Sequence, residues 1–427
     1  MTMAADKQDK VLNVPNIGKV PNLRFPEFSG EWAESTIGEE FELYSGNTPS
    51  RLDKENFVGN VNWITSGELK DHYIGDTKEK ISESSAKENN LRLMPEGTFV
   101  IAIYGLEAEG VRSTGSIITK RSTISQACMA FTPKGDISNE FLYSWYKKHG
   151  NVIGIRYAQG TKQQNLSYDI IEKFKIRYPS LKEQDKLNSF ISLLDTRIAT
   201  QNRIIEDLKS ERKFLLEQLF CLPKEHTPKL RLKGMTGDWY KVRLYDIVER
   251  ITERNKANTC SRVLTIAAQY GLINQQEFFN KQIASSDLTT YYLLHKGDFA
   301  YNKSYSGDYP WGAVKRLDNY NEGVLSSLYV CFRPNGNVDS DFLCHYFEST
   351  KWYRGISEIS GEGARNHGLL NMSVDDYFNT IHRIPSLEEQ RQISTMLNTI
   401  VQKIKIEESI IDKLQKQKSY LLKEMFV

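Results

Sequence analysis

The sequence predicts a mixed α/β (α+β) fold: two α/β domains separated by two long antiparallel coiled-coil helices in an internal pseudo-twofold repeat. Three observations predict it. The segment Tyr178–Phe220 returns as Ile384–Phe426 without a gap, so that Pro179 matches Pro385, Gln184 matches Gln390 and Phe220 matches Phe426, each 206 positions apart. Both copies carry a heptad pattern. The stretches between them are rich in Tyr, Phe, Val and Ile bounded by Gly and Asn, as strands and turns require.

The helices are read first because their pattern is strongest. In the first, Leu187, Ile191, Leu194, Ile198, Gln201, Ile205, Leu208, Arg212, Leu215 and Leu219 follow alternating steps of four and three. Ile393, Leu397, Ile400, Ile404, Glu407, Ile411, Leu414, Lys418, Leu421 and Met425 repeat those steps, with polar breaks at the same two places. A sustained heptad seam is the mark of a coiled coil, and an interior polar residue costs stability while fixing register. In an antiparallel pair centred between the breaks, Gln201 would face Lys418 and Arg212 would form an ion pair with Glu407. Each helix, at ~38 residues and 1.5 Å per residue, would be about 57 Å long. The pair would then act as a ruler between its two domains.

The repeat extends beyond the helices. Pro21-Asn-Leu-Arg-Phe and Gly30-Glu-Trp32 return as Pro228-Lys-Leu-Arg-Leu and Gly237-Asp-Trp239. These read as a short strand with apolar Leu23 and Phe25, a turn at Gly30 and a large anchor at Trp32. Gly97-Thr-Phe99 matches Gly297-Asp-Phe299, a turn running into a strand. Asn139-Glu-Phe141 matches Ser340-Asp-Phe342, each opening an aromatic-rich helix, and Ser167 and Ser373 are expected N-caps. The expected organisation is a polar tail at 1–20, a first domain at 21–180, a helix at 181–221, a second domain at 222–386 and a helix at 387–427. Cys221 to Pro228 forms the linker that closes the first helix.

Composition narrows the class. The 427 residues carry 56 basic and 54 acidic side chains, a net +2 that neither announces nor excludes a nucleic-acid partner. Cys128, Cys221, Cys260, Cys331 and Cys344 show no metal-site spacing, so a reducing cytoplasm without zinc or disulfides is expected. No apolar run approaches membrane-span length, and the N-terminus lacks a signal-peptide core. Gly110-Val-Arg-Ser-Thr-Gly115-Ser lacks the lysine of a phosphate loop, and Gly361-Glu-Gly363 fails as a dinucleotide fingerprint because Asn366 stands at the last glycine. No paired carboxylates or nucleophile sets stand at telling spacing, and the seven histidines are scattered. Trp63, Trp145, Trp311 and Trp352 are assigned to cores.

The duplicated Pro-Ser-Leu-x-Glu-Gln opening of each helix, the repeated entry segments and the stretch Val61-Asn-Trp63-Ile-Thr-Ser66-Gly67-Glu-Leu69 together resemble the specificity subunit of type I restriction–modification systems. The resemblance spans about residues 21–427, with the helix motifs its specific part. It implies two target-recognition domains, each reading one half of a split, asymmetric sequence in double-stranded DNA. It implies helices that fix the spacing and dock two modification (methyltransferase) subunits, with two restriction (nuclease–translocase) subunits able to join. This chain is then expected to be non-catalytic and free of cofactors. S-adenosylmethionine, ATP and Mg would belong to the partner subunits, and no membrane is involved. The amino-methyltransferase signature Asn/Asp-Pro-Pro-Tyr/Phe is missing from the chain, in agreement. Two other readings stand beside this one: the same module in a restriction architecture where another enzyme both methylates and cuts, and a coiled-coil scaffold that binds only protein.

DNA contact needs cations against phosphates and Arg, Lys, Asn or Gln at base edges. Gly160-Thr-Lys162-Gln163-Gln164-Asn165 combines a glycine, a cation and three amides. Its counterpart in the repeat is Gly363-Ala-Arg365-Asn366-His367-Gly368. Arg112, Lys120 and Arg121 form a second basic group near expected hairpins, with Lys303, Tyr305, Lys315 and Arg316 on comparable ground. Tyr104 and Tyr305 stand where a ring either packs at the rim of a core or stacks on a sugar. The expected contact set is therefore Lys162, Gln163, Gln164, Asn165, Arg112, Lys120, Arg121, Lys303, Tyr305, Arg316, Arg365, Asn366 and His367.

Overall fold

The computed structural model describes residues 19–108, 110–160, 164–267, 270–279, 287–304, 309–361 and 368–427. The chain divides into two units, Met1–Gln201 with Ile410–Val427, and Asn202–Ser409. The two long helices, Leu181–Gln218 and Leu387–Met425, each contribute to both units.

The first unit is built on a five-stranded sheet ordered Phe41–Ser45, Cys128–Pro133, Phe99–Ala102, Gly115–Ile118, Tyr73–Ile74, antiparallel except at the last pairing. Successive side chains of a strand point to opposite faces, and the strand Phe99–Ala102 uses both. Phe99 and Ile101 join the core that holds Phe141, Trp145 and Tyr146 of the helix Asn139–Tyr157, while Val100 and Ala102 join a second core with Ile64, Met94 and Ile124. A strand buried on both faces is apolar throughout, which is why this one reads Phe-Val-Ile-Ala. A small sheet of Lys80–Ile81, Val61–Ile64 and Ser122–Ile124 contributes to the second face.

The second unit keeps the frame. Val248–Arg250, Val330–Pro334, Phe299–Asn302 and Ala313–Arg316 form an antiparallel sheet in the same order as the first four strands above. Phe299 and Tyr301 face one core and Ala300 the other. Its contents differ. Two short helices, Ser340–Glu348 and Tyr353–Ile359, stand where the first unit has one helix of 19 residues. A hairpin of Leu264–Ala267 and Gly271–Asn274 and the pair Tyr292–His295 with Glu322–Leu325 take the place of the small sheet.

Each α/β body is fastened to the helices in the same way. Ala33–Thr36 pairs with Lys175–Tyr178, and Tyr240–Arg243 pairs with Ile381–Ile384, just before each long helix. In the first unit Leu23 N donates to Glu424 O (2.9 Å) while Arg24 pairs with Glu183. In the second, Leu230 N donates to Gln218 O (3.0 Å) while Arg231 pairs with Glu389. Each entry segment thus ties the start of one long helix to the end of the other, so the helices run antiparallel within each unit. Trp32 and Trp239 are buried, and Gly30 (φ +85°) and Gly237 (φ +80°) make turns that only glycine adopts easily. The expected strand at Leu23–Phe25 is instead a bent segment with Leu23 exposed, because its backbone is spent on the helix end.

The heptad apolar positions are buried or half-buried. Two polar breaks have ion-pair partners that the heptad did not predict. Lys418 pairs with Asp195, and Arg212 pairs with Glu348 of the helix Ser340–Glu348. Heptad geometry reads only the other long helix, whereas Arg212 is claimed by the α/β body packed beside it. Trp63, Trp145 and Trp352 are core residues as expected, and Trp311 packs on the core at its edge. Ser167 and Ser373 are N-caps, though only Ser373 uses its hydroxyl for the cap, accepting from Asp376 N at 2.9 Å.

Candidate nucleic-acid interface

Two loops of the first unit close into one lobe. Gln159 and Asn165 exchange backbone hydrogen bonds of 2.8 Å, Asn165 bridges to Tyr104, and Leu106 N donates to Gln164 O at 3.0 Å. The Glu107 carboxylate accepts from Gln164 N at 2.9 Å, and that backbone bond, first among its contacts, holds the carboxyl below the ordinary glutamate range. Gly160 (φ +122°) lets the chain turn back on itself. These bonds tie Tyr104, Leu106 and Glu107 to Gln159, Gln164 and Asn165.

The second unit builds the matching lobe from Asn302–Ser304, Gly361 and Gly368–Leu370. Leu370 N donates to Lys303 O (3.0 Å), Ser304 bridges to Leu369, and Gly361 N donates to Asn371 O (3.1 Å). Gly312 (φ +79°) lies so close to Asn302 O that a Cβ would sit 2.2 Å from it, so the base of this lobe requires glycine. Lys303 is half-buried here. Lys162, Gln163, Tyr305, Arg365, Asn366 and His367 lie outside the described residues.

The remaining members of the expected contact set divide by chemistry. Arg112 donates through Nε to Leu106 O (2.7 Å) and through Nη2 to Glu107 O (3.0 Å), with its stem against Gly154; it pins the lobe from within. Arg316 donates to Asp318 (2.7 Å), Asp341 (2.6 Å) and Ser340 (3.0 Å), so its guanidinium is committed inside its own unit. Lys120 and Arg121 are exposed, in no ion pair among the described residues, and sit on the turn after Ile118. That turn lies at the far end of the strand Gly115–Ile118 from the lobe. Tyr104 is half-buried and packs against the core, which supports its rim reading.

Sequence reasoning missed the residues that hold the frame. Glu183 and Glu389 are nearly fully buried partners of the entry arginines. Gln184 Oε1 accepts from Ser138 N (3.0 Å) while its Nε2 donates to Asp136 O (2.7 Å) and Pro179 O (2.9 Å). Gln390 Oε1 accepts from Asp339 N (2.8 Å), and its Nε2 donates to Pro385 O (2.9 Å). Ser138 and Asp339 are the N-caps of the body helices, so the repeated Glu-Gln pair is a fastener. The signal was its repetition beside a repeated Leu-Arg. Among the described residues no group of three or more His, Cys, Asp or Glu could hold a metal, and no helix is long and apolar enough to cross a membrane. What the lobes present is amides, backbone and cations on a buried frame, chemistry suited to recognition.

Residues 29–210 match the family described as type I restriction modification DNA specificity domain. Two curated relatives from Methanocaldococcus jannaschii are similar. The type I restriction enzyme MjaIX specificity subunit is 28% identical over 203 residues, 46% of this chain and 44% of the relative. The MjaVIII specificity subunit is 23% identical over 239 residues, 55% of this chain and 52% of the relative. The chain thus spans about half the length of the curated relatives it matches. In fold, it is similar to the crystal structure of a type I restriction–modification S subunit from M. genitalium, with a TM-score of 0.54, 15% identity and coverage of 96% of this chain and 99% of that one. A chain from a structural study of type I system assembly and conformational transition gives a TM-score of 0.56 at 15% identity, covering 92% of this chain and 97% of that one. With its duplicated helices and entry segments, the chain is similar to type I restriction–modification specificity subunits, and residues 29–210 match the DNA specificity domain of those systems.

Proposed function

We propose that this chain is the DNA-reading, non-catalytic subunit of a cytoplasmic type I restriction–modification complex. Each α/β body, at 21–180 and 222–386, reads one half of a bipartite, asymmetric target through its lobe. The two long helices set the spacer and dock two modification subunits, and two restriction subunits complete the nuclease. Methyl transfer to adenine, with its S-adenosylmethionine, and ATP- and Mg-dependent cleavage belong to those partners. The contact set is Gln164, Asn165, Lys162 and Gln163 in one lobe, and Lys303, Tyr305, Arg365, Asn366 and His367 in the other. Lys120 and Arg121 supply charge to the phosphates.

One observation carries this reading. The fasteners repeat residue for residue, Arg24–Glu183 as Arg231–Glu389, whereas the small sheets and the lobes differ between units. Equivalent partner-binding parts beside unlike readers suit an asymmetric target on a symmetric scaffold. Sequencing of methylated adenines in a host with and without the chain tests it. A single bipartite motif is expected, and exchanging residues 21–180 for those of another specificity subunit should change one half-motif only. A change in both halves would sink the modular assignment.

A further inference from the structure

His72 occupies an unusual seat in the first unit. Its ring is stacked between Tyr73 (centroids 4.1 Å apart, 5° between planes) and Tyr143 (3.9 Å, 0°). Nε2 lies 2.9 Å from Glu140 Oε2, and Nδ1 lies 3.4 Å from Asp195 Oδ2. The two carboxylates come from different elements, Glu140 from the first turn of the helix Asn139–Tyr157 and Asp195 from the first long helix. The His72 carbonyl accepts from Ile117 N at 2.8 Å, so the backbone behind the ring is fixed to the sheet.

Both ring nitrogens therefore face acceptors. A neutral imidazole has one N–H and one lone pair, so it satisfies one carboxylate and sets its lone pair against the other. Only the imidazolium donates to both. Asp195 Oδ2 is buried and accepts no hydrogen bond among the described residues, so His72 Nδ1, at ion-pair distance, is the group placed to supply it a proton. The other Asp195 oxygen takes the ammonium of Lys418 on the second long helix. The charged and titratable groups around the ring are Asp71 and Tyr73 on its own segment, Glu140, Tyr143 and Lys147 on the body helix, and Asp195 and Lys418. Burial lowers the affinity of His72 for its proton, but the bonds to Asp195 and Glu140 and their charges outweigh it, and the ring holds its proton above the ordinary histidine range.

The second unit fastens the corresponding place with a permanent cation. Asp341, like Glu140 in the first turn of its body helix, is held by Arg316, and Glu348 takes Arg212 from the first long helix. An arginine stays charged at any physiological pH, whereas a histidine does not.

We propose that His72, as an imidazolium bridging Glu140 and Asp195, is a positioning residue that seats the first α/β body on the long helices, so that alkaline pH loosens that body alone. In consequence, target discrimination relaxes at one half-motif and not at the other. The second statement rests on the proposed function; the first does not.

The test uses the full chain and its complex with the modification subunits. Ring titration of His72 by NMR, assigned with His72→Gln, is expected to give a pKa above 6.5. The melting temperature of the wild type should fall from pH 6 to pH 8.5 relative to His72→Gln, whose own profile lacks that component. Asp195→Asn, a second route to the same loss should the first variant fold poorly, should flatten the profile too. In the complex, the penalty for mismatches in the half-motif read by residues 21–180 should drop about fivefold or more between those pH values. His72→Arg should restore it at pH 8.5. A pKa at or below 6.5, or pH profiles of wild type and both variants that coincide, would overturn the seat. An intact titration with unchanged discrimination would overturn its role in recognition. A complex that binds no sequence specifically would overturn the proposed function while leaving the titration result standing.

Discussion

Arg24 and Glu183 form a bidentate pair, Nε to Oε1 at 2.8 Å and Nη2 to Oε2 at 2.7 Å, and Arg231 and Glu389 repeat it at 2.9 and 2.8 Å. Each guanidinium also donates to two turn carbonyls, Gly30 and Ser29 in one unit and Gly237 and Thr236 in the other. Four of the five fixed donors are thus matched to a carboxylate and a turn, and the pairing joins the entry segment to the first turn of a long helix.

Removing one partner of a buried pair strands the other. Glu183 and Glu389 are only 2–3% exposed, so Arg24→Ala and Arg231→Ala should each cost about 3–5 kcal/mol. Lysine offers a point charge without the planar fork, so Arg24→Lys should recover less than half of the loss. Urea denaturation read separately for each unit is the measurement. Equal stability of Arg24→Lys and wild type would remove the bidentate geometry from the account.

Gln184 uses one acceptor and two donors at a buried site, and a carboxylate there cannot donate to the carbonyls of Asp136 and Pro179. Gln184→Ala should destabilise by about 1–3 kcal/mol. Gln184→Glu should be worse at neutral pH and improve in acid. The introduced carboxyl would have its folded pKa raised above the unfolded value near 4.3, so its share of stability is present below that value and lost as pH rises through the folded one. Melting curves at pH 4.5 and 7.5 check the crossing.

These fasteners show what was legible in the sequence. The strand after Gly97 and the heptads of both long helices follow from local pattern, and the structure reproduces them. The partner of Arg212 lies 136 positions away in Glu348, on an element whose orientation no periodicity encodes. In sequence, a cation near a hairpin looks the same whether it faces a phosphate, two carbonyls as Arg112 does, or two carboxylates as Arg316 does. The lobes themselves were legible as glycine-bounded loops at matching places in the repeat. Their closure was not, since Glu107 reaches Gln164 N across 57 positions.

That division of labour yields a contrast in salt dependence. Lys120 and Arg121 are exposed and in no ion pair among the described residues, so Lys120→Ala and Arg121→Ala in the assembled complex should each weaken binding to all sequences and reduce the salt slope by about one. Arg112→Ala should leave the slope unchanged and weaken discrimination, because its guanidinium bonds only within its own lobe. Binding titrations over 50–200 mM salt separate the two behaviours. A fall in slope for Arg112→Ala would return it to the phosphate contacts.

His382 should give a pH dependence opposite in sign to that of His72. It is fully enclosed, with Nδ1 2.8 Å from the Tyr346 hydroxyl and Nε2 2.8 Å from Thr380 Oγ1. Burial pushes its pKa down to about 4. The neutral ring satisfies both hydroxyls, one nitrogen donating and the other accepting, and among the described residues no carboxylate is bonded to it to support a charge. The folded state therefore binds this proton less readily than the unfolded chain, whose histidine titrates near 6.5. Stability from this site is complete above that value and lost progressively as pH falls towards 4, up to roughly 3 kcal/mol at 1.36 kcal/mol per unit. His382→Gln keeps one donor and one acceptor but cannot titrate. It should flatten the acid side of the second unit's stability profile between pH 6.5 and 4 at some cost at neutral pH. An acid limb of unchanged slope in that variant would assign the acid sensitivity of the unit to other groups.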